Sequence, residues 1–73
     1  MTLYHIAGVT LIDRQRDIWH GIASSKTTKQ MAGEMGVSTK TVEWHRLNLY
    51  SKLQMWDTAA LTRAAIKHGL IRA

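Results

Sequence analysis

The sequence predicts an all-α fold, a compact four-helix domain, and three observations carry that expectation. Apolar residues recur at spacings of three and four in four separate segments, which places them on one helix face each time. Each segment is bounded by Gly or by a Ser, Thr or Asp suited to capping, and there is no proline to interrupt it. No internal repeat, low-complexity tract or linker divides the 73 residues, so they read as one domain.

The first helix is expected from Asp13 to about Ser24. Ile18, Trp19, Ile22 and Ala23 form its apolar face, while Arg14, Arg16 and Asp17 lie on its other faces. Trp19 is placed in the core. At residues 27–30, "TTKQ" sets a hydroxyl three positions before a glutamine, the pattern of a capping box. A short second helix follows with Met31, Ala32 and Met35. It stops at "MGVS", where Gly36 can take the positive φ of a tight turn and Ser38 can cap the next helix. Helix, glycine turn, helix is the unit with which DNA-binding proteins seat a recognition helix.

The third helix is "STKTVEWHRLNLYSKL", residues 38–53. Val42, Leu49 and Leu53 lie on its inner side, with the stem of Arg46 flanking them. Lys40, Glu43, Trp44, Leu47 and Ser51 follow the opposite side, and a helix cannot bury both sets against one core. The outer set is therefore free for a partner. A fourth helix starts after Asp57, with Leu61, Ala64, Ala65 and His68 at core spacing. Gly69 ends it, and "GLI" folds back as an apolar clasp. Trp56, in the turn before it, either closes the core edge or joins a dimer seam. Ahead of the helices, "TLYHIAGVT" alternates Tyr4, Ile6 and Val9 like a short strand, with no partner strand in view.

A domain of this length buries only about 60% of the surface its unfolded chain exposes, so its stability is modest. With no cysteine there is no disulfide, no thiol catalysis and no cysteine-ligated zinc. Ten Lys and Arg stand against five Asp and Glu, a formal charge of +5, which favours an acidic partner such as nucleic acid. No apolar run approaches the roughly 18 residues that would span a bilayer, and the opening lacks a secretory leader. A soluble, cytoplasmic chain with no membrane partner is expected. His5, His20, His45 and His68 show no metal-ligand spacing, and no nucleophile motif, phosphate-binding loop or carboxylate pair is present. Neither an enzyme nor a cofactor or metal site is expected.

Three stretches, "LIDRQRDIW", "TTKQMAGEMGVSTKTVEWHRLNLYSKL" and "AAIKHGLI", together resemble the helix-turn-helix domain of the LuxR and GerE family of bacterial transcription regulators. The resemblance covers residues 11 to 71, and the ordered set Thr41, Val42, His45, Asn48, Lys52, Leu53 with "HGLI" is its most specific part. It implies an N-terminal arm at 1–10 and a DNA-binding domain at 11–73. Three departures shift boundaries. Ile12 and Asp13 stand where the family has Thr-Pro, so the first cap moves to Thr10 or Asp13. Ser25 lies near the place of a common glycine, and Gln30 replaces a capping-box glutamate.

The resemblance implies a sequence-specific regulator that binds double-stranded DNA with the helix at about 38–53 in the major groove. Glu43, Trp44 and Leu47 match positions that touch bases, although the first and third are frequently basic in relatives. Glu43 can accept a hydrogen bond from cytosine, and Trp44 and Leu47 can pack on thymine methyls. Lys40, Arg46 and Lys52 are placed to neutralise phosphates, with Thr27, Thr28 and Lys29 presenting hydroxyl, amide and cation at the start of the second helix. Thr41 matches a further backbone-contact position, and His45 matches the family's histidine, whose implied role is packing or a phosphate hydrogen bond. Relatives pair through the fourth helix, so a homodimer is implied, with Leu61, Thr62 and Ala65 as the expected seam because small side chains permit close approach.

The length leaves no room for a sensor domain, which favours a stand-alone, GerE-like regulator acting at the nucleoid, with RNA polymerase or another LuxR-family regulator as a further partner. An excised C-terminal domain would look the same. The apolar, non-basic Trp44 and Leu47 also fit a different class of function, a protein-interaction module that pairs with a full-length relative and removes it from DNA. Non-specific DNA compaction is the third reading.

Overall fold

A computed structural model describes residues 2–72; Met1 and Ala73 lie outside the described residues. Strands β1 (Leu3–Ile6) and β2 (Val9–Ile12) precede helices α1 (Asp13–Ala23), α2 (Thr28–Met35), α3 (Thr39–Leu53) and α4 (Thr58–Lys67). The four helices fall where the apolar spacing places them. The strands add a small sheet to an otherwise helical domain.

The segment "TLYHIAGVT", expected as a single strand with no partner in view, instead folds back on itself as a hairpin whose second strand continues to Ile12. Leu3 to Ile6 run antiparallel to Val9 to Ile12, from Leu3↔Ile12 to Ile6↔Val9. Ala7 and Gly8 form the two-residue turn, both left-handed with φ of 55° and 77°. Two positive-φ residues match the right-handed twist of the strands. An expected boundary between residues 10 and 11 falls inside β2, and Leu11 is fully buried, so the hairpin is continuous with the helical core.

β2 runs into α1 without a loop. The N-cap is Ile12, neither Thr10 nor Asp13; its amide donates to Gln15 Oε1 at 3.1 Å, the half of a capping box that the N3 side chain supplies, while Ile12 itself has no side-chain acceptor for the first-turn amides. After α1 the chain turns through Ser25, left-handed at φ 62° where a glycine would be relaxed. The α2 box is reciprocal: Gln30 N donates to Thr27 Oγ1 at 3.1 Å, and Thr27 N donates to Gln30 Oε1 at 2.8 Å. Gly36, at φ 67°, makes the tight turn. Ser38 and Asp57 cap α3 and α4 by accepting from Thr41 N and Ala60 N. Past α4, Leu70 N donates to Ala65 O at 2.8 Å, and Leu70 and Ile71 pack half-buried on the core as the clasp. His68, expected at core spacing, is exposed because it follows the last turn of α4.

α1 is the central element, packed against both α3 and α4, while α2 packs against α3. Trp19, Leu11, Ile18, Leu49, Leu61 and Val42 are the largest fully buried side chains. Trp19 Nε1 donates to the Leu61 carbonyl at 2.9 Å, so the indole keeps its polar atom satisfied inside the core. Leu61 and Ala65, expected at a dimer seam, are both wholly enclosed within the chain and present no side-chain surface to a second copy. Of the three seam residues only Thr62 retains exposure.

His45 is buried on the same side of α3 as Val42 and Leu49. Its Nδ1 is the buried side-chain polar atom without a partner among the described residues. Burial, and secondarily the Arg14 charge, lowers its pKa below the ordinary 6.5. The unfolded chain therefore takes up this proton more readily than the folded one. The stability contributed by neutral His45 is present above pH 6.5 and is lost as pH falls from there through the lower folded value. Urea unfolding between pH 7 and pH 5 should show wild type losing stability, and a His45→Gln variant losing less across the same range.

Two helical glycines should respond oppositely to alanine. A Cβ at Gly21 in α1 would collide with Met31 Sδ and lie 2.9 Å from Met31 Cγ, and Met31 is buried. A Cβ at Gly33 in α2 meets nothing within 4 Å. Gly21→Ala is expected to destabilise the domain by about 1–3 kcal/mol through overpacking. Gly33→Ala should stabilise it by about 0.5–1 kcal/mol through helix propensity. Chemical denaturation of the two variants checks both signs.

Candidate nucleic-acid interface

The outward side of α3 is built by what its inward side must do. With Val42, His45, Leu49 and Leu53 turned into the core, helical geometry points Lys40, Glu43, Trp44 and Leu47 away from it. Trp44 is 63% exposed and Leu47 61% exposed, values that leave most of both side chains in water. The Trp44 and His45 rings meet edge to face, with centroids 5.0 Å apart and planes at 71°. Asn48 Nδ2 donates to the Trp44 carbonyl at 2.9 Å, holding that side chain along the helix. Ser38, Lys40, Thr41 and Trp44 line a shallow open depression at the N-terminal end of α3.

A polar network braces α2 against α3. Thr28, in the first turn of α2, donates its hydroxyl to Glu43 Oε1 at 2.7 Å and accepts from an Arg46 terminal nitrogen at 3.3 Å. That nitrogen also lies 3.9 Å from Glu43 Oε1. Arg46 Nε donates to the Tyr50 hydroxyl at 2.8 Å, and the guanidinium lies 5.7 Å from the Tyr50 ring centroid. Tyr50 in turn meets Trp56 edge to face at 6.2 Å. Tyr50 was not singled out from sequence; its signal is the one-turn spacing from Arg46, which brings long side chains together on a helix. Trp56 is 64% exposed and so does not close the core edge.

Apart from the exposed Trp44 and Leu47, the residues expected to meet DNA stand in different settings. Lys29 and Lys40 are exposed, with no hydrogen bond or ion pair to protein among the described residues. Thr28, Glu43 and Arg46 are brought together at the α2–α3 contact, while Thr27 spends its hydroxyl on the α2 cap, accepting from Gln30 N. Thr41 is half-buried, its hydroxyl 3.0 Å from that of Ser38. Lys52 and His45 stand apart from these. Lys52 Nζ donates to the Thr10 carbonyl at 2.9 Å and to Gln15 Oε1 at 3.1 Å, tying the end of α3 to the β2–α1 junction. His45 is mostly enclosed, as its role in packing requires.

No group of three metal-ligating side chains occurs among the described residues, and no helix is long and apolar enough to cross a membrane. The arrangement is instead an exposed helix face with apolar tips, with Lys40 beside Trp44. That is the shape and chemistry that enters a groove.

Comparison with known proteins agrees with this architecture. Residues 9–65 match the family described as bacterial regulatory proteins, luxR family. The chain is 39% identical over 61 residues to the transcriptional regulatory protein MctR of Rhizobium johnstonii, covering 84% of this chain and 28% of that protein. It is 38% identical over 60 residues to the response regulatory protein YgeK of Escherichia coli, covering 82% and 41% respectively. It is 29% identical over 62 residues to the transcriptional regulatory protein FixJ of Bradyrhizobium diazoefficiens, covering 85% and 30%. The chain thus spans less than half the length of these relatives. The match runs from β2 into α4 and includes both helices of the helix-turn-helix, so the chain belongs to the luxR family of bacterial regulatory proteins.

Proposed function

We propose that the chain binds double-stranded DNA in a sequence-specific manner, with α3 in the major groove and α2 bracing it from the backbone side. The observation that carries this reading is the exposure of Trp44 and Leu47 on a helix whose other side is committed to the core. Apolar tips of this kind pack against thymine methyls and sugar edges. Lys29 and Lys40 flank them as phosphate contacts, which set register without reading sequence. Glu43 is tied back to Thr28, so in the free protein the base-facing surface consists chiefly of Trp44 and Leu47.

Action as a homodimer through α4 belongs to the same proposal. With Leu61 and Ala65 enclosed, the seam moves to the outer stripe of α4, where Ala59, Thr62, Arg63 and Ile66 follow helical spacing and Ile66 is 39% exposed. Two recognition helices would then enter successive major-groove turns of an inverted repeat. A second reading, a module that pairs with a full-length relative and removes it from DNA, draws on the same exposed Trp44 and Leu47. It differs in needing no duplex.

Selection of bound sequences from a random duplex pool separates the two. The DNA reading expects enrichment of an inverted repeat, and Trp44→Ala should cut the preference for it by on the order of 1–3 kcal/mol. Lys40→Ala should weaken all duplexes alike and reduce the slope of log affinity against log salt by about 1. No enrichment would abandon sequence reading in favour of the protein-pairing module.

The seam has its own test. Ile66→Asp should remove cooperative binding in a mobility-shift assay while circular dichroism stays helical. Leu61→Asp should instead unfold the domain, because an unpaired charge in this core costs more than about 4 kcal/mol. Undiminished cooperativity in Ile66→Asp would place the dimer contact elsewhere.

A further inference from the structure

We propose that Glu43 is a built-in stand-in for a DNA phosphate, occupying the Thr28–Arg46 seat in the free protein and leaving it when a phosphate enters. The inference rests on the DNA-binding reading above and adds a device that controls it. Thr28 has a single hydroxyl proton, and Glu43 Oε1 holds it at 2.7 Å. The same oxygen faces Arg46 at 3.9 Å, and Arg46 reaches back to the Thr28 oxygen at 3.3 Å. One hydroxyl donor and one guanidinium converging on one anionic oxygen is the donor set that a non-bridging phosphate oxygen also takes. Because the hydroxyl can serve only one acceptor, carboxylate and phosphate exclude each other.

The surroundings are arranged for exchange rather than for a permanent bond. The Glu43 side chain is 52% exposed, so the carboxylate has water to move into, and an exposed ion pair is weak. The Arg46 side chain is only 25% exposed and is anchored through Nε to the Tyr50 hydroxyl, so the cation stays in place when its partner changes. Glu43, once displaced, becomes an unpaired anion beside a polyanion. Only a duplex that offers it a donor, such as the cytosine N4 amine, relieves that repulsion. The exchange therefore makes affinity conditional on sequence: neutral removal of Glu43 strengthens binding to DNA in general and erodes discrimination.

The test measures binding to the selected duplex and to an unrelated one by fluorescence anisotropy for wild type, Glu43→Ala, Thr28→Val and the double variant. Glu34→Ala serves as a control of equal charge change; Glu34 pairs instead with Lys26 at 2.7 Å. Glu43→Ala is expected to bind the unrelated duplex about tenfold more tightly, well beyond the gain from Glu34→Ala. In the Thr28→Val background that gain should shrink to the level of the control. Inorganic phosphate, titrated without DNA and followed by NMR at the Thr28 amide and the Arg46 Nε–H, should give saturable shifts in Glu43→Ala and much weaker ones in wild type.

Weaker binding of the selected duplex by Glu43→Ala, without any gain on the unrelated one, would make Glu43 a fixed base reader and overturn the proposal. A gain equal to that of Glu34→Ala, or one that persists with Thr28→Val, would also overturn it as general electrostatics. If wild type binds no duplex, the DNA reading fails by itself. The phosphate titration then decides the seat alone, saturable shifts in Glu43→Ala supporting it and their absence overturning it.

Discussion

The buried contact between α1 and α4, centred on Trp19, is the constraint from which the rest of the domain follows. The indole is fully enclosed, and its one polar atom is bonded to the backbone of Leu61. That bond fixes the axial position of α4 against α1 as well as its distance, because the donor and acceptor must align. α1 also packs against α3, and both strands of the hairpin meet α1 as well. A domain of this size has no second core to fall back on. Every element is held by what it contributes to the single cluster around Trp19.

That constraint sets the two duties of α3. Its Val42, His45, Leu49 and Leu53 are consumed by the core, which decides the rotation of the helix about its own axis. The exposure of Trp44 and Leu47 is then a geometric result, and in the free protein it forfeits the burial of two large apolar side chains, about 1.5–3 kcal/mol for each one of leucine size. A marginally stable domain that leaves such a gain unrealised invites explanation by a partner. The polar surroundings fit that explanation, since Lys40, with no hydrogen bond or ion pair among the described residues, lines the same depression as Trp44.

Much of this was legible in the chain. The helix period, the Thr27–Gln30 box, the Gly36 turn and the Ser38 and Asp57 caps each carry local chemistry that tertiary contacts did not override. The hairpin was harder to see because its turn is Ala7-Gly8 instead of the Asn-Gly that advertises two positive-φ residues, and because β2 passes directly into α1. Leu61 and Ala65 were misplaced for another reason. Small and apolar residues serve a core and a seam equally well, and only the position of Trp19 decides between them. Lys52 reads as a surface cation in sequence, whereas the nearby carbonyl of Thr10 and the Gln15 side chain bind it only once the fold is formed. The same holds for Thr28 and Glu43, 15 positions apart and joined only by the turn at Gly36.

The contact between α2 and α3 has a different character from the one between α1 and α4. Met31 and Ala32 of α2 are buried in the common core, but the outer edge of the α2–α3 contact is closed by hydroxyl, carboxylate and guanidinium groups that water or a phosphate can also satisfy. Polar closure of this kind contributes little net stability, because the partners exchange one set of hydrogen bonds for another of similar strength. It contributes orientation instead, since Thr28, Glu43 and Arg46 have few geometries in which all their bonds are made at once. The core thus holds α3 in the domain, while the polar edge sets how α2 and the apolar tips of α3 are oriented relative to each other. A surface organised in that way can change partners at its rim without disturbing the core beneath it.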